Sequence, residues 1–131
     1  MTMNSGTGQD GNDSLRTISA EALLQDIRSE VALTIIDVRD RPRIRETGTI
    51  ADARTYPLHQ LGSRLTELRH LHATPIIVVS QRARRARNAA RELEAAGFGE
   101  VFVLEGGLHH WLELGYPVEE RRESSPPSVR P

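Results

Sequence analysis

The apolar residues of this chain alternate between two periodicities, and this alternation is the strongest constraint on its fold. Short apolar, β-branched runs such as 76–79 (IIVV) are typical of buried strands, whereas apolar residues spaced three and four apart, as in 20–31, are typical of one helix face. The two kinds of segment follow one another along the sequence. This order predicts an α/β domain with a mainly parallel sheet.

Local signals place the individual elements. Ser19 precedes an apolar stripe and is positioned to cap a helix, and Gly97 stands at the expected C-cap of a later one. The stripe after Ser19 consists of Ala20, Leu23, Leu24, Ile27 and Val31. The predicted strands are 16–18, 33–37, 54–56, 75–80 and 100–104, and the predicted helices are 20–31, 61–71 (or to His72), 84–96 and 108–112.

The length and composition predict one domain with a tail at each end. A chain of 131 residues is close to the size of a single typical domain, and 37% hydrophobic residues can supply its core. Residues 1–14 are rich in Gly, Ser, Asn, Asp and Thr, and residues 121–131 are charged and rich in proline. Neither stretch can bury enough apolar surface to order itself, so both are predicted to be disordered. The domain is predicted to span 15–120.

The charge balance excludes some partners and some chemistry. Seventeen basic residues face 18 acidic ones, for a formal charge of −1, so no global field attracts nucleic acid or an anionic membrane. All 17 basic residues are arginine, which excludes lysine Schiff-base chemistry. No apolar run reaches the roughly 18 residues of a membrane span, and the N-terminus lacks the pattern of a signal peptide. We expect a soluble cytoplasmic protein that is a monomer or a weak dimer.

The absence of cysteine is equally restrictive. It excludes disulfides, thiolate metal sites, persulfide carriers and thiol nucleophiles together. His109 and His110 resemble a metal pair, but adjacent helix positions do not face each other, so surface histidines are favoured. The sequence predicts neither a metal site nor a cofactor.

Six short segments, none of them specific alone, form an ordered set across residues 15–120. They are IDVR (36–39), GTIADA (48–53), YPL (56–58), IIVVSQRARR (76–85), AGF (96–98) and LEGGLHHWLELGYPV (104–118). In this order they resemble the rhodanese (sulfurtransferase homology) family. The resemblance implies a five-stranded parallel sheet with helices on both faces. It also implies an active loop between the fourth strand and the following helix.

The loop departs from the family pattern at its reactive position. The family loop reads Cys-x-x-Gly-x-Arg, and serine stands here where the family carries its persulfide on cysteine. Thr49 also replaces a histidine, and Arg43 with Ile44 replaces an acidic-aromatic pair. These joint departures favour a naturally degenerate site over a single engineered Cys-to-Ser substitution. The aligned loop residues are Ser80, Gln81, Arg82, Ala83, Arg84 and Arg85.

Without its nucleophile, the loop keeps features that suit an anion. Backbone N–H groups at the start of a helix and the positive end of its dipole attract negative charge. Arg82, Arg84, Arg85 and Arg87 crowd this first turn, where each cation opposes the dipole by about 0.3–1 kcal/mol. A sulfate, thiosulfate or phosphate ion, or an acidic protein partner, would offset that cost. The alternative is an arginine-rich face satisfied by solvent and nearby glutamates. Ala83 in place of glycine would restrict the loop if that position required a positive φ.

The leading hypothesis is a catalytically inactive rhodanese-like domain, a pseudoenzyme that acts as a binding or regulatory module. A hydroxyl neither ionises readily nor forms a persulfide, so Ser80 should not transfer sulfur. The second hypothesis is a single-domain thiosulfate sulfurtransferase whose natural sequence carries cysteine at position 80, which the codon in the source genome would decide. A third is an oxyanion sensor for sulfate, phosphate or arsenate.

Asp37 ends the second predicted strand, and Arg39 follows it. They match residues that the family places after its second strand, and the resemblance implies a supporting, structural role for both. A serine hydrolase would need a base and an orienting carboxylate near the loop serine. His59, His109 and Glu105 follow strand ends, but the loop has no nucleophile-elbow signature. The hydrolase interpretation is therefore disfavoured.

Overall fold

Five parallel strands form a single sheet in the computed structural model, which describes residues 14–71 and 73–121. The predicted tails lie outside the described residues except for Ser14 and Arg121, and His72 lies outside them too. The order across the sheet is β1-β5-β4-β2-β3, with parallel pairing throughout. The five-stranded parallel sheet that the resemblance implied is confirmed. The strands are β1 (Arg16–Ile18), β2 (Thr34–Asp37), β3 (Arg54–Thr55), β4 (Ile76–Val79) and β5 (Val101–Leu104).

Helices cover both faces of the sheet. None of those in the described part of the chain is long and apolar enough to cross a membrane. Most boundaries lie within one or two residues of the prediction, which is the usual uncertainty of a helix or strand end. The C-cap of the long helix is Ala96, and Gly97 follows it with φ 101°. The helices are α1 (Ala20–Arg28), α2 (Arg41–Thr47), α3 (Leu58–Leu61), α4 (Leu65–Leu68), α5 (Ala83–Ala95) and α6 (Gly107–Glu113).

The first helix is shorter than its apolar stripe predicted. Ser19 caps it by accepting a hydrogen bond from the amide of Ala22 at 3.1 Å, as expected. The helix ends at Arg28, because the chain turns at Glu30 with φ 59°. Val31 is therefore outside the helix and 46% exposed, so its predicted place on the buried stripe is wrong.

The leucine-rich segment predicted as one helix is broken into short turns. Between α3 and α4 lies a 3₁₀ turn at Gly62–Arg64, and a second follows at Arg69–Leu71. The hydroxyl of Ser63 donates to the carbonyl of Gln60 at 3.0 Å, and such local side-chain bonds compete with regular helix. The leucine spacing still places Leu61 and Leu68 in the core.

Strand residues alternate between two cores, one on each face of the sheet. In β4, Ile76 and Val78 pack on one face with the small-residue side of α5, whereas Ile77 and Val79 pack on the other with α1 and α6. This alternation follows from the two-residue period of a strand. Three of the buried polar side chains, Asp37, Arg39 and Ser80, lie at or just after the carboxyl ends of β2 and β4.

Trp111 anchors α6 in the second core. Its side chain is fully buried, and its indole N–H donates to the carbonyl of Pro117 at 2.9 Å. Tyr116 packs against its ring edge-to-face, with ring centroids 5.2 Å apart. Because Trp111 holds α6 in place, the start of that helix can serve as a fixed support for the neighbouring loop.

Candidate functional site

The candidate site lies where β2 and β4 end side by side. These two strands are direct neighbours, with Asp37 in register with Val79. In parallel sheets the carboxyl ends of adjacent strands open to the same edge, which is where ligands bind in open α/β folds. The segment after Asp37 and the loop after Val79 are thereby brought together.

Asp37 and Arg39 form a buried ion pair beneath this edge. The side chains are 0% and 2% exposed, and the Arg39 Nη2 atom lies 2.8 Å from Asp37 Oδ2. Arg39 Nε also donates to Asp37 Oδ1 at 3.0 Å. The hydroxyl of Thr49, itself buried, donates to Asp37 Oδ2 at 2.6 Å. Burying two charges is costly unless the pair is well hydrogen-bonded, and here it is.

The remaining N–H groups of Arg39 reach two other segments. Nη1 donates to the hydroxyl of Thr47 at 2.8 Å and to Gln81 Oε1 at 3.3 Å. Nη2 donates to the carbonyl of Gly48 at 2.9 Å. Arg39 therefore connects the end of α2 to the loop after β4.

The Ser80 side chain is tied into the loop rather than presented to solvent. The residue is 1% exposed. Its Oγ accepts a hydrogen bond from the amide of Ala86 at 3.0 Å and donates to the carbonyl of Arg82. The hydroxyl therefore lies between the amide of Ala86 and the carbonyl of the N-cap residue Arg82, in the first turn of α5. Both the proton and a lone pair of Ser80 are engaged in holding the loop.

The groups required by a serine hydrolase are not assembled around Ser80. His59 lies 3.8 Å from Asp40, and His109 lies 3.3 Å from Glu113. Glu105 accepts a hydrogen bond from Thr17 at 3.0 Å. The two bonds of the Ser80 hydroxyl go to backbone atoms, so within residues 14–71 and 73–121 no base is placed to take its proton. The described residues also contain no cluster of three metal-binding side chains.

The start of α6 supports the loop from behind. The amide of Leu108 donates to the carbonyl of Ser80 at 2.8 Å, and the amide of His109 donates to the carbonyl of Gln81 at 3.0 Å. This close approach requires glycine at position 107, where φ is 65°. A Cβ there would lie 2.5 Å from the Gln81 carbonyl oxygen. The loop carbonyls are held towards α6 by these contacts.

Gly107→Ala is expected to displace the loop as well as to destabilise the fold. The left-handed backbone alone costs about 1–3 kcal/mol for alanine, and the overlap with the loop adds to that cost. Gly115→Ala is the matched control, because Gly115 has φ 74° but nothing within 4 Å of the added Cβ. Chemical denaturation should show a larger loss of unfolding free energy for Gly107→Ala. Equal losses would mean that the loop does not rest against α6.

The loop and the segment after β2 enclose an open cleft of about 330 Å³. Five of its lining side chains are arginines and only one is a carboxylate. Arg85 Nη1 lies 3.9 Å from Asp40 Oδ2, and Arg43 Nη1 lies 3.4 Å from Glu46 Oε1. The lining residues are Arg39, Asp40, Arg43, Ser80, Gln81, Arg82, Arg84 and Arg85.

Alanine at position 83 does not strain the loop. Ala83 is the first residue of α5, and among the described residues only Glu30 and Asp52 combine a side chain with positive φ. The restriction that the sequence analysis anticipated for this position is therefore not observed. The backbone follows the ordinary course of a helix start.

The structure brings most of the sequence-predicted site residues together. Asp37 lies beneath the cleft, and Ala83 is not among its lining residues. Sequence reasoning missed Asp40 and Arg43 as lining residues. Asp40 follows the end of β2, and strand ends are a general signal for sites, whereas Arg43 stood out only as a departure from the family pattern. Sequence reasoning also missed Gly107, whose role depends on the packing of α6. Six predicted residues line the cleft: Arg39, Ser80, Gln81, Arg82, Arg84 and Arg85.

Comparisons with known proteins agree with this architecture. A protein of uncharacterised function from Synechocystis is 30% identical over 105 residues, which cover 80% of this chain but only 57% of that protein. The thiosulfate sulfurtransferase GlpE of Ectopseudomonas mendocina is 33% identical over 103 residues, covering 76% of this chain and 87% of GlpE.

Solved structures show the same fold. A rhodanese-related protein from Thermoplasma volcanium superposes with a TM-score of 0.70 at 28% identity, covering 79% of this chain and 96% of that one. The Alr3790 protein of Anabaena gives a TM-score of 0.70 at 33% identity, with 78% and 81% coverage. The family profile described as "Rhodanese-like domain" matches residues 19–114. This chain therefore belongs to the rhodanese-like domain family, although it contains no cysteine.

Proposed function

We propose that this rhodanese-like domain does not transfer sulfur and instead binds an oxyanion in the cleft formed by the Ser80–Arg85 loop. The observation that carries the proposal is the state of the Ser80 hydroxyl. It bridges the Arg82 carbonyl and the Ala86 amide at the base of an arginine-lined cleft. The loop is thus held in shape by the residue that replaces the nucleophile.

Sulfur transfer through a persulfide is chemically excluded at this position. The reaction needs a thiolate that attacks the sulfur donor and keeps one sulfur atom bound. A serine hydroxyl is not ionised near neutral pH and does not form that bond, and no cysteine occurs elsewhere in the chain. A binding or regulatory role remains for the cleft.

Anion binding has several physical supports at this site. The first amides of α5 have no acceptor within the helix, and the positive end of the helix dipole points towards the cleft edge. Arg82, Arg84 and Arg85 cluster there at a cost to the helix. Arginine forms strong, often bidentate bonds with oxyanions, so a bound anion would turn this repulsion into attraction. Sulfate, thiosulfate and phosphate all have the required shape, and an acidic protein side chain is the alternative ligand.

Isothermal titration calorimetry at low ionic strength tests this proposal. Millimolar sulfate, thiosulfate or phosphate should release or absorb heat on binding the folded chain. Arg85→Gln should weaken binding about tenfold or more, because a hydrogen bond to a charged group contributes about 1.5–3 kcal/mol. Arg28→Gln is the matched control, since Arg28 is an exposed arginine at the end of α1 and does not line the cleft. Absence of heat with all three anions would contradict the proposal.

A further inference from the structure

The cleft holds more positive charge than one tetrahedral oxyanion can neutralise. Of its five arginines, Arg39 is already paired with Asp37. Arg82 and Arg84 make no ion pair with any residue in the described ranges, and both are exposed. Arg85 has only a distant contact with the carboxylate of the cleft. A single dianion would leave part of this charge unbalanced.

The cleft is also larger than such an ion requires. Its volume is about 330 Å³. It falls at the lower end of the range for small-molecule sites, about 300–1,000 Å³. One tetrahedral oxyanion beside the loop would occupy only part of this space.

The side chains that line the cleft all end in polar or charged groups, and most of these groups are cationic. Small-molecule sites are usually lined mainly by apolar and aromatic side chains. None of the side chains lining this cleft is aliphatic or aromatic. The apolar surface of the cleft comes from the methylene groups of its polar side chains, and no aliphatic or aromatic side chain contributes to it. The part of the ligand that fills this space is therefore expected to carry negative charge.

The cations come from two different elements. Arg82, Arg84 and Arg85 lie at the start of α5, whereas Arg43 projects from α2 and has only an exposed contact with Glu46. Such exposed pairs contribute about 0–1 kcal/mol and are readily exchanged for a better partner. Two separate groups of arginines thus border one cleft.

From these observations, and building on the proposed oxyanion site, we propose that the ligand carries two linked phosphoryl groups. One group binds beside the Ser80–Arg85 loop, and the second binds towards Arg43. Diphosphate is the simplest compound of this class. Its two tetrahedral groups match the charge and the volume of the cleft better than one phosphate does.

The test compares diphosphate with phosphate by calorimetry at matched ionic strength. Diphosphate should bind at least about tenfold more tightly, which is about 1.4 kcal/mol. Methylenediphosphonate, which has the same two groups with a carbon bridge, should bind similarly. Citrate, which presents several carboxylates, should bind much more weakly. Equal affinity for citrate and diphosphate would overturn the phosphoryl class, because generic charge attraction would then explain the binding.

Single-residue variants test which arginine binds each of the two phosphoryl groups. Arg43→Gln should reduce diphosphate affinity about tenfold and phosphate affinity much less, whereas Arg85→Gln should weaken both. Arg28→Gln should change neither, and thermal unfolding would establish that each variant folds. Equal affinity for phosphate and diphosphate would overturn the two-group ligand while leaving the oxyanion site in place. Binding of neither compound would overturn the oxyanion site as well.

Discussion

Replacing Ser80 with cysteine is expected to give this chain thiosulfate sulfurtransferase activity, whereas the unmodified chain is expected to show none. The side-chain atom at position 80 lies within hydrogen-bonding distance of the Ala86 amide, at the base of the arginine-lined cleft. A thiol placed at a helix N-terminus and near arginines has a lowered pKa and is largely a thiolate. The missing nucleophile would then be supplied to the proposed anion site.

The chemistry of this variant can be followed at two steps. The thiolate attacks the outer sulfur of thiosulfate, the S–S bond breaks, and sulfite leaves. The cysteine is left as a persulfide, which mass spectrometry would detect as the added mass of one sulfur atom. Cyanide then removes that sulfur as thiocyanate and regenerates the thiolate. Formation of thiocyanate is the steady-state readout.

Controls make the outcome decisive. The unmodified chain and Ser80→Ala should form no thiocyanate above a heat-killed sample. Adding Arg85→Gln to the cysteine variant should lower its rate, because thiosulfate binding is weakened. A folded Ser80→Cys chain that neither forms a persulfide nor produces thiocyanate would contradict an intact anion site. A gain of activity would also fit a natural cysteine at position 80, which the source gene would reveal.

Breaking the buried ion pair beneath the cleft is expected to have the largest effect on stability. Asp37→Ala would leave the guanidinium of Arg39 buried without its charged partner. Removing one member of such a pair costs about 3–5 kcal/mol, a large part of the roughly 5–15 kcal/mol by which a domain is stable. Urea denaturation should show this loss, and anion binding should weaken with it.

Milder variants keep this prediction testable if Asp37→Ala does not fold. Thr49→Val removes the hydroxyl that donates to Asp37 at 2.6 Å, and loss of a bond to a charged group costs about 1.5–3 kcal/mol. Glu46→Gln is the surface control, because its pair with Arg43 is exposed and should contribute less than about 1 kcal/mol. A loss for Thr49→Val no greater than that for Glu46→Gln would argue against a stabilising buried network.

Much of the sheet could be predicted because strand burial has a strong local signature. The run at Ile76–Val79 is apolar and β-branched, and the structure buries all four residues. Helix ends were less predictable, since Val31 continues the apolar spacing of α1 after the backbone has already turned at Glu30. Periodicity reports which residues could share a face. It does not report where the backbone leaves the helix.

The individual residues of the site could be predicted from the sequence, but the contacts that join them could not. Strand ends and the family resemblance pointed to Asp37, Arg39 and the 80–85 loop. The bond from Arg39 to Gln81 and the support of the loop by Gly107 join segments far apart in sequence. No local pattern encodes such contacts. They depend on the order of strands in the sheet and on how α6 packs, which only the folded chain shows.

An NMR titration tests most directly whether the loop is an anion site. Phosphate or sulfate added to the ¹⁵N-labelled chain should shift the backbone amide signals of residues 82–86 and the Arg85 side-chain signal. The matched exposed arginine Arg28 should shift little. This result would place the anion beside the Ser80 hydroxyl. Shifts spread evenly over surface arginines, or an unchanged loop in a well-dispersed spectrum, would contradict an oxyanion site at Ser80–Arg85.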